Sequence, residues 1–309
     1  METNEVPNGS IVVGVDGSPA SDRGLLWGLH QARLEHRPLA VVHALNPMSA
    51  NMWMGEPGFN EALVLDAVRG AMRFQIDRAV DLAAEYDPSV EVHAVRLEQD
   101  PRDALLELSH HAAMIVMGSR GRGPMTSMLL GSVSLAVSQH ATCPVVILRA
   151  EENHPIGTGE YQRGVVVGVD GTRRSTSALE FAYRTASLHS LPLQVVHAYW
   201  DEQRDGYPSM APVLEVADLE DMTLLVAETI AGMAEKFPDV RASVHTERGL
   251  PHGILLQAAK NAAMLVVGTH PTHALYDVLT NEISRQVVGR APCTVAVVPD
   301  APSTEADPR

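Results

Sequence analysis

Short, wholly apolar runs alternate along this chain with longer stretches in which apolar residues recur every three or four positions. In the first half the runs are Ile11–Val15, Leu39–Ala44, Val90–Val95, Ala113–Met117 and Val145–Leu148. They are too short for buried helices and are bounded by turn formers, so they predict strands. Helical spacing fills the gaps, at about Ser21–His36, Asn60–Tyr86, Pro101–Ala112 and Ser127–His140, the last with Leu129, Val133, Ala136 and Val137 on one side. Asp100-Pro101 opens its helix with a capping carboxylate and a proline in the first turn. Val90–Val95 places Glu91 and His93 between apolar residues, the pattern of a half-exposed edge strand. Strands alternating with helices predict an α/β fold, a doubly wound (Rossmann-like) five-stranded parallel sheet with helices on both faces.

The pattern then repeats. Ile11–Ser18 (IVVGVDGS) recurs as Val165–Thr172 (VVVGVDGT), and Val41–Ala44 recurs as Val195–Ala198 at the same offset. Gly118 and Cys143 recur as Gly268 and Cys293 at a slightly smaller offset, so the second copy is shorter in its middle. A repeat of about 150 residues has the size of a domain, not of a solenoid unit. Two tandem domains, 1–150 and 164–300, are therefore predicted. The polar stretch Ala150–Gly164 between them has the composition of a linker, and Asn46–Asn60, with methionines, tryptophan, proline and glycine, that of a long loop. Met1–Ser10 and Asp300–Arg309 carry no apolar period and are expected to fray.

Composition narrows the function. Hydrophobic residues make up 45% of 309 positions, enough for two cores. The start METNEVPNGS lacks a basic-then-apolar leader and no apolar run approaches a membrane span, so a cytoplasmic protein is expected. A net charge of −15 opposes binding to nucleic acid or to an anionic membrane surface. The two cysteines occupy equivalent places before the final strands and fit buried core thiols better than a redox pair. Fourteen histidines form no metal-ligand spacing, and His43 and His197 fit packed strand-end residues.

The candidate chemistry lies between a strand and a helix. Gly118-Ser119-Arg120-Gly121-Arg122-Gly123 follows the fourth apolar run, and Gly131-Ser132-Val133 stands near the start of the next helix. Glycines there let the chain turn with positive φ and bring backbone N–H groups to an anion, while a helix N-terminus and a hydroxyl add to phosphate binding. Gly14 and Asp16 end the first strand, where a carboxylate accepts from a ribose or base, or simply caps a helix, a task open also to Ser18 or Ser21. The chain's lysines, Lys236 and Lys260, lie outside any G-x-x-x-x-G-K-[ST] run, so a Walker-type site is not supported.

These residues resemble the universal stress protein family in its tandem form. Gly118, Gly121, Gly131 and Ser132 reproduce the family pattern G-x-x-G, nine residues, G-[ST]. The resemblance implies a stress-response regulator that binds ATP, with magnesium carried by the phosphates. It implies that Asp16 meets the nucleoside, the Ala44 backbone the adenine edge, and Ser132-Val133 the phosphates. It also implies an adenine nucleotide as partner, pairing of the two halves about their last strands, and scope for a homodimer of whole chains. The second half departs from the pattern, with Pro271 for Gly121, His270 for Arg120 and Asn281-Glu282 for Gly131-Ser132. Proline removes an N–H donor and a carboxylate repels phosphate. A slow ATPase or phosphotransferase and a nucleotide-independent scaffold are the alternative functions.

Overall fold

In a computed structural model the described residues are 6–46, 61–119, 130–149, 164–199, 227, 230–269 and 275–300. The predicted loop after Asn46, the linker and the far ends lie outside them. Contacts divide the chain into two units, Met1–Asn153 and His154–Arg309.

In the first unit the order is β1 (Ile11–Gly14), α1 (Pro19–Glu35), β2 (Leu39–Ala44), α2 (Glu61–Tyr86), β3 (Val92–Leu97), α3 (Pro101–Ser109), β4 (Met114–Gly118), α4 (Ser132–His140) and β5 (Val145–Leu148). All strand pairs are parallel, and the described strands lie in the order β3-β2-β1-β4-β5. Strand order therefore reverses between β1 and β4. Side chains of β1, β2, β4 and β5 are almost wholly buried, as expected of a parallel sheet covered on both faces. β3, at the edge, is half-exposed. It begins two residues later than its apolar run, because its pairing with β2 starts at Val92 opposite Leu39.

α1 is seated close on the sheet. A Cβ on Gly28 would lie 2.6 Å from Val13 Cγ2, so only glycine fits the helix there. α1 contacts α2, and α3 contacts α4, which puts one helix pair on each face. The α1 start is fixed by Ser18, whose Oγ accepts from the Ser21 N–H at 3.2 Å, and by Pro19. Asp100 caps α3 in the same way, accepting from the Arg102 N–H, with Pro101 behind it. That helix ends at Ser109, short of the expected Ala112.

The second unit contains β6 (Val165–Val169), a 3-10 turn (Arg173–Ser175), α5 (Thr176–Leu188), β7 (Leu193–Tyr199), helical residues 230–236, β8 (Ala242–Arg248), α6 (Pro251–Ala258), β9 (Met264–Thr269), α7 (Leu275–Arg290) and β10 (Thr294–Pro299). Its described strands are also parallel, in the order β8-β7-β6-β9-β10, the same winding. Cys143 and Cys293 are thiols buried beside β5 and β10. Burial pushes the Cys143 thiol up to about 12. Among the described residues no helix is long and apolar enough to cross a membrane.

Candidate functional site

Strand order reverses between β1 and β4 in the first unit, and the carboxyl ends of strands at such a reversal are the position where doubly wound folds take ligands. β1 delivers Gly14, Val15 and Asp16 to this edge. Its chain turns through Gly17 at φ 76°, a left-handed conformation that favours glycine, and enters α1 at Ser18. The Asp16 carboxylate accepts from the Ser18 N–H at 3.0 Å, which fixes the carboxylate in the turn. Helix capping itself falls to Ser18, so Asp16 is not the cap of α1. Ala44 ends β2, the neighbour of β1, and is partly exposed at the same edge. His43 is buried and its Nδ1–H donates to the Val15 carbonyl at 2.6 Å, holding the β1 exit to β2. His197 repeats the bond to Val169 at 3.1 Å. Both are packed strand-end histidines.

β4 ends at Gly118, followed by Ser119, against the first turn of α1. The described chain resumes at Leu130, and Arg120, Gly121, Arg122 and Gly123 lie outside the described residues. α4 begins at Ser132, not near Ser127 as the apolar spacing predicts. Gly131 is its N-cap, extended at φ −73° and ψ 153°, and makes no side-chain cap. The Gly131 N–H donates to Ser119 O at 2.8 Å, and the first intrahelical bond runs from Leu135 N to Gly131 O at 3.0 Å. The amides of Ser132, Val133 and Ser134 therefore precede the helical ladder at the positive end of the helix dipole. Ser132 is exposed. The buried side of α4 carries Ser134, Val137 and Ser138, not Val133 and Ala136. Ser134 Oγ donates to Gly118 O at 2.9 Å and Ser138 Oγ to Leu135 O at 2.8 Å, so these hydroxyls are satisfied inside.

One expectation is corrected. Gly118 does not have positive φ, and the space its missing Cβ leaves belongs to α1. A Cβ there would lie 2.8 Å from the carbonyl carbon and Cβ of Ala20. Gly118 is glycine because the first turn of α1 crosses the end of β4. Gly131 has room, since its nearest neighbour to an added Cβ is Ser119 O at 3.6 Å.

The second unit builds the same edge differently. Asp170 Oδ1 accepts from Thr172 N at 2.8 Å, Thr172 Oγ1 at 2.8 Å and Ser175 Oγ at 2.6 Å, which ties the carboxylate into its own turn. α5 starts after a 3-10 turn, without a side-chain cap. Ser284 Oγ donates to Gly268 O at 2.7 Å, the counterpart of the Ser134 bond. Yet α7 already starts at Leu275, so positions 281 and 282, which match Gly131 and Ser132, are helix interior and their amides belong to the helical ladder. His270 and Pro271 lie outside the described residues.

Sequence reasoning missed Arg149. It is 7% exposed and directly follows Leu148, the partner of Gly118 across β4 and β5. Its signal was a lone cation closing an apolar strand. Among the described residues no three His, Cys, Asp or Glu side chains gather as metal ligands.

The universal stress protein family matches at residues 7–149 and again at 162–299. A universal stress protein of Mycolicibacterium smegmatis is 31% identical over 293 residues, covering 93% of this chain and 96% of that one. One of Mycobacterium tuberculosis is 31% identical over 301 residues, with the same coverage, 93% and 96%. In fold, the crystal structure of a universal stress protein from Archaeoglobus fulgidus is similar at a TM-score of 0.67 and 21% identity, covering 96% of this chain and 97% of that one. With two family matches in succession and relatives that align along nearly its whole length, the chain belongs to the universal stress protein family, in the tandem form.

Proposed function

We propose that this protein is a cytoplasmic, ATP-binding stress-response regulator with little or no ATP turnover, its nucleotide held mainly by the first half. The carrying observation is the α4 N-terminus: three amides ahead of the helical ladder, no side-chain cap, and Ser119 and the Asp16 turn beside them at the strand-order reversal. Backbone donors in this arrangement favour phosphate oxygens and need no basic side chain. In this reading Asp16 and the Ala44 backbone take the nucleoside, Gly118–Gly123 and Gly131–Val133 take the phosphates, and magnesium is carried by the phosphates. Protein groups then bind and orient the nucleotide. A turnover enzyme would need a positioned base or a loop lysine, and the chain's lysines, Lys236 and Lys260, are remote in sequence from the glycine loop. A homodimer of whole chains belongs to the same reading, tested by sedimentation.

The second half is assigned a weak site or none, because its helix absorbs the amides that the first half leaves open and Asp170 is engaged by its own turn. Loss of these donors weakens a triphosphate by at least about a hundredfold, roughly 2.7 kcal/mol. Calorimetric titration should give one ATP per chain. Phosphate release should stay far below about one per second, the ordinary enzyme range. Two equal ATP sites would overturn the assignment to the first half, and steady hydrolysis abolished by Asp16→Ala would overturn the proposal in favour of the slow ATPase.

A further inference from the structure

We infer that Arg149 supplies a buried positive charge to the phosphate end of the first-half site, and that it acts on the polyphosphate of the nucleotide rather than on the nucleoside. The inference rests on the proposed ATP site and adds a residue outside the family's glycine pattern.

Position is the first argument. Gly118 of β4 pairs with Leu148 of β5, and the Ser119 N–H donates to Leu148 O at 2.8 Å. Arg149 is therefore the residue level with Ser119, immediately past the last bond joining these strands. Ser119 O in turn receives the Gly131 N–H at 2.8 Å, so Arg149 stands one strand away from the point where α4 is anchored.

Sidedness is the second. Successive residues of a strand face opposite sides of the sheet, and paired residues of parallel strands face the same side. The absent Cβ of Gly118 faces Ala20 of α1, so Leu148 faces α1, and continuing the alternation one residue past β5 puts Arg149 on the opposite side. The other face is that of α3, where an added Cβ on Gly14 would meet Leu105 at 3.4 Å. α4 contacts α3 and β5. Arg149 thus shares a sheet face with the helix whose first amides form the proposed phosphate cradle.

Burial and charge are the third. Arg149 is 7% exposed, so its charge acts on a neighbouring anion through little intervening water. Five N–H donors in a fork let it serve a phosphate as well as contacts within the fold. The whole chain carries −15, so a polyanion entering this edge meets a repulsive background that a local cation offsets. In the second half Val298 pairs with Gly268 as Leu148 pairs with Gly118, and the next residue is Pro299. The cation is missing from the half whose helix has also absorbed the cradle amides.

The test is calorimetry of the full chain and of Arg149→Gln and Arg149→Lys with ATP, AMP and adenosine, alongside nucleotide-free melting. Arg149→Gln should weaken ATP at least about tenfold, AMP less, and leave adenosine within about twofold, as expected for one lost charge-assisted contact. It should also flatten the salt dependence of ATP binding. Arg149→Lys should recover much of the loss, and Arg149→Met takes the place of the glutamine variant in the same titrations if that variant does not fold. Equal losses for ATP and adenosine, or undiminished ATP affinity, would overturn the inference and leave the ATP site standing. A wild-type chain that binds none of the three would instead overturn the ATP site itself.

Discussion

Gly118→Ala separates a glycine kept for the ligand from a glycine kept for the fold. The added methyl would lie 2.8 Å from Ala20 C, 2.8 Å from Ala20 Cβ and 2.9 Å from Ala20 O. Carbon atoms in contact prefer about 3.5–4.0 Å, and none of these three neighbours can rotate away, since all are main chain or a β-carbon. Relief therefore requires the first turn of α1 to lift from β4. Overpacking of this kind costs about 1–3 kcal/mol. For a unit of this size each kcal/mol lowers the melting midpoint by roughly 2–4 °C, so a fall of about 6 °C is the central expectation. The displaced turn also carries Ser18 and the Asp16 carboxylate, so nucleotide affinity falls as a secondary effect.

Nucleotide-free thermal denaturation of wild type, Gly118→Ala, Ala20→Gly and the double variant measures this directly. Ala20→Gly removes one of the three close atoms and leaves two, so the double-mutant cycle should show a favourable coupling that restores only part of the loss. Gly131→Ala is the control, because its methyl meets nothing closer than 3.6 Å and its φ of −73° suits any residue. It should cost no more than about 1 kcal/mol, the scale of an N-cap change. A Gly118→Ala protein that melts with wild type, or a Gly131→Ala protein that is the less stable of the two, would refute the assignment of Gly118 to the α1 seat.

Ser18→Ala removes the Oγ that accepts from the Ser21 N–H and should lower stability by about 1 kcal/mol; an unmoved urea midpoint would show that the cap contributes nothing. Cys143, with its thiol pushed up to about 12 by burial, should resist alkylation at pH 8 until the chain unfolds; rapid labelling of the native protein would contradict that burial. Since the unfolded thiol loses its proton first, this residue's contribution to stability is full at neutral pH and declines as pH rises from about 8.5 toward 12, which alkaline denaturation curves of wild type and Cys143→Ala compare.

The strands were legible because a parallel sheet buried on both faces demands unbroken apolar runs, and β1, β2, β4 and β5 each fall within one residue of theirs. β3 was less so, because an edge strand's limits follow its hydrogen bonds to β2 rather than its hydrophobicity. The α4 start was misplaced for a related reason. Met128 to Leu130 continue a helical spacing in the sequence, but Leu130 is not helical and the N-cap is Gly131. Its buried face was misassigned because Ser134 and Ser138 enter the core by giving their hydroxyls to backbone carbonyls, which an apolar count does not register. Arg149 was hidden by its position between an apolar strand and a polar linker. Only the pairing of Leu148 with Gly118 shows that it stands level with Ser119.

The two halves also show why side-chain charge alone understates the difference between the copies. From sequence, Glu282 in place of Ser132 argues for repulsion of phosphate, a term that salt or a cation would soften. The backbone difference is not of that kind. Gly131 holds an extended conformation at which α4 must begin, whereas no glycine stands at 281 or 282 and α7 runs from Leu275 through both. An amide inside a helix is already bonded to the carbonyl four residues back, and using it for a phosphate would mean unwinding about two turns first. Asp170 meets the same difficulty, since Thr172 and Ser175 already occupy its Oδ1. Substituting glycine and serine at 281 and 282 would remove the repulsion but not by itself end the helix ahead of them. The structural difference between the halves therefore lies in where a helix starts, and the charge change adds to it.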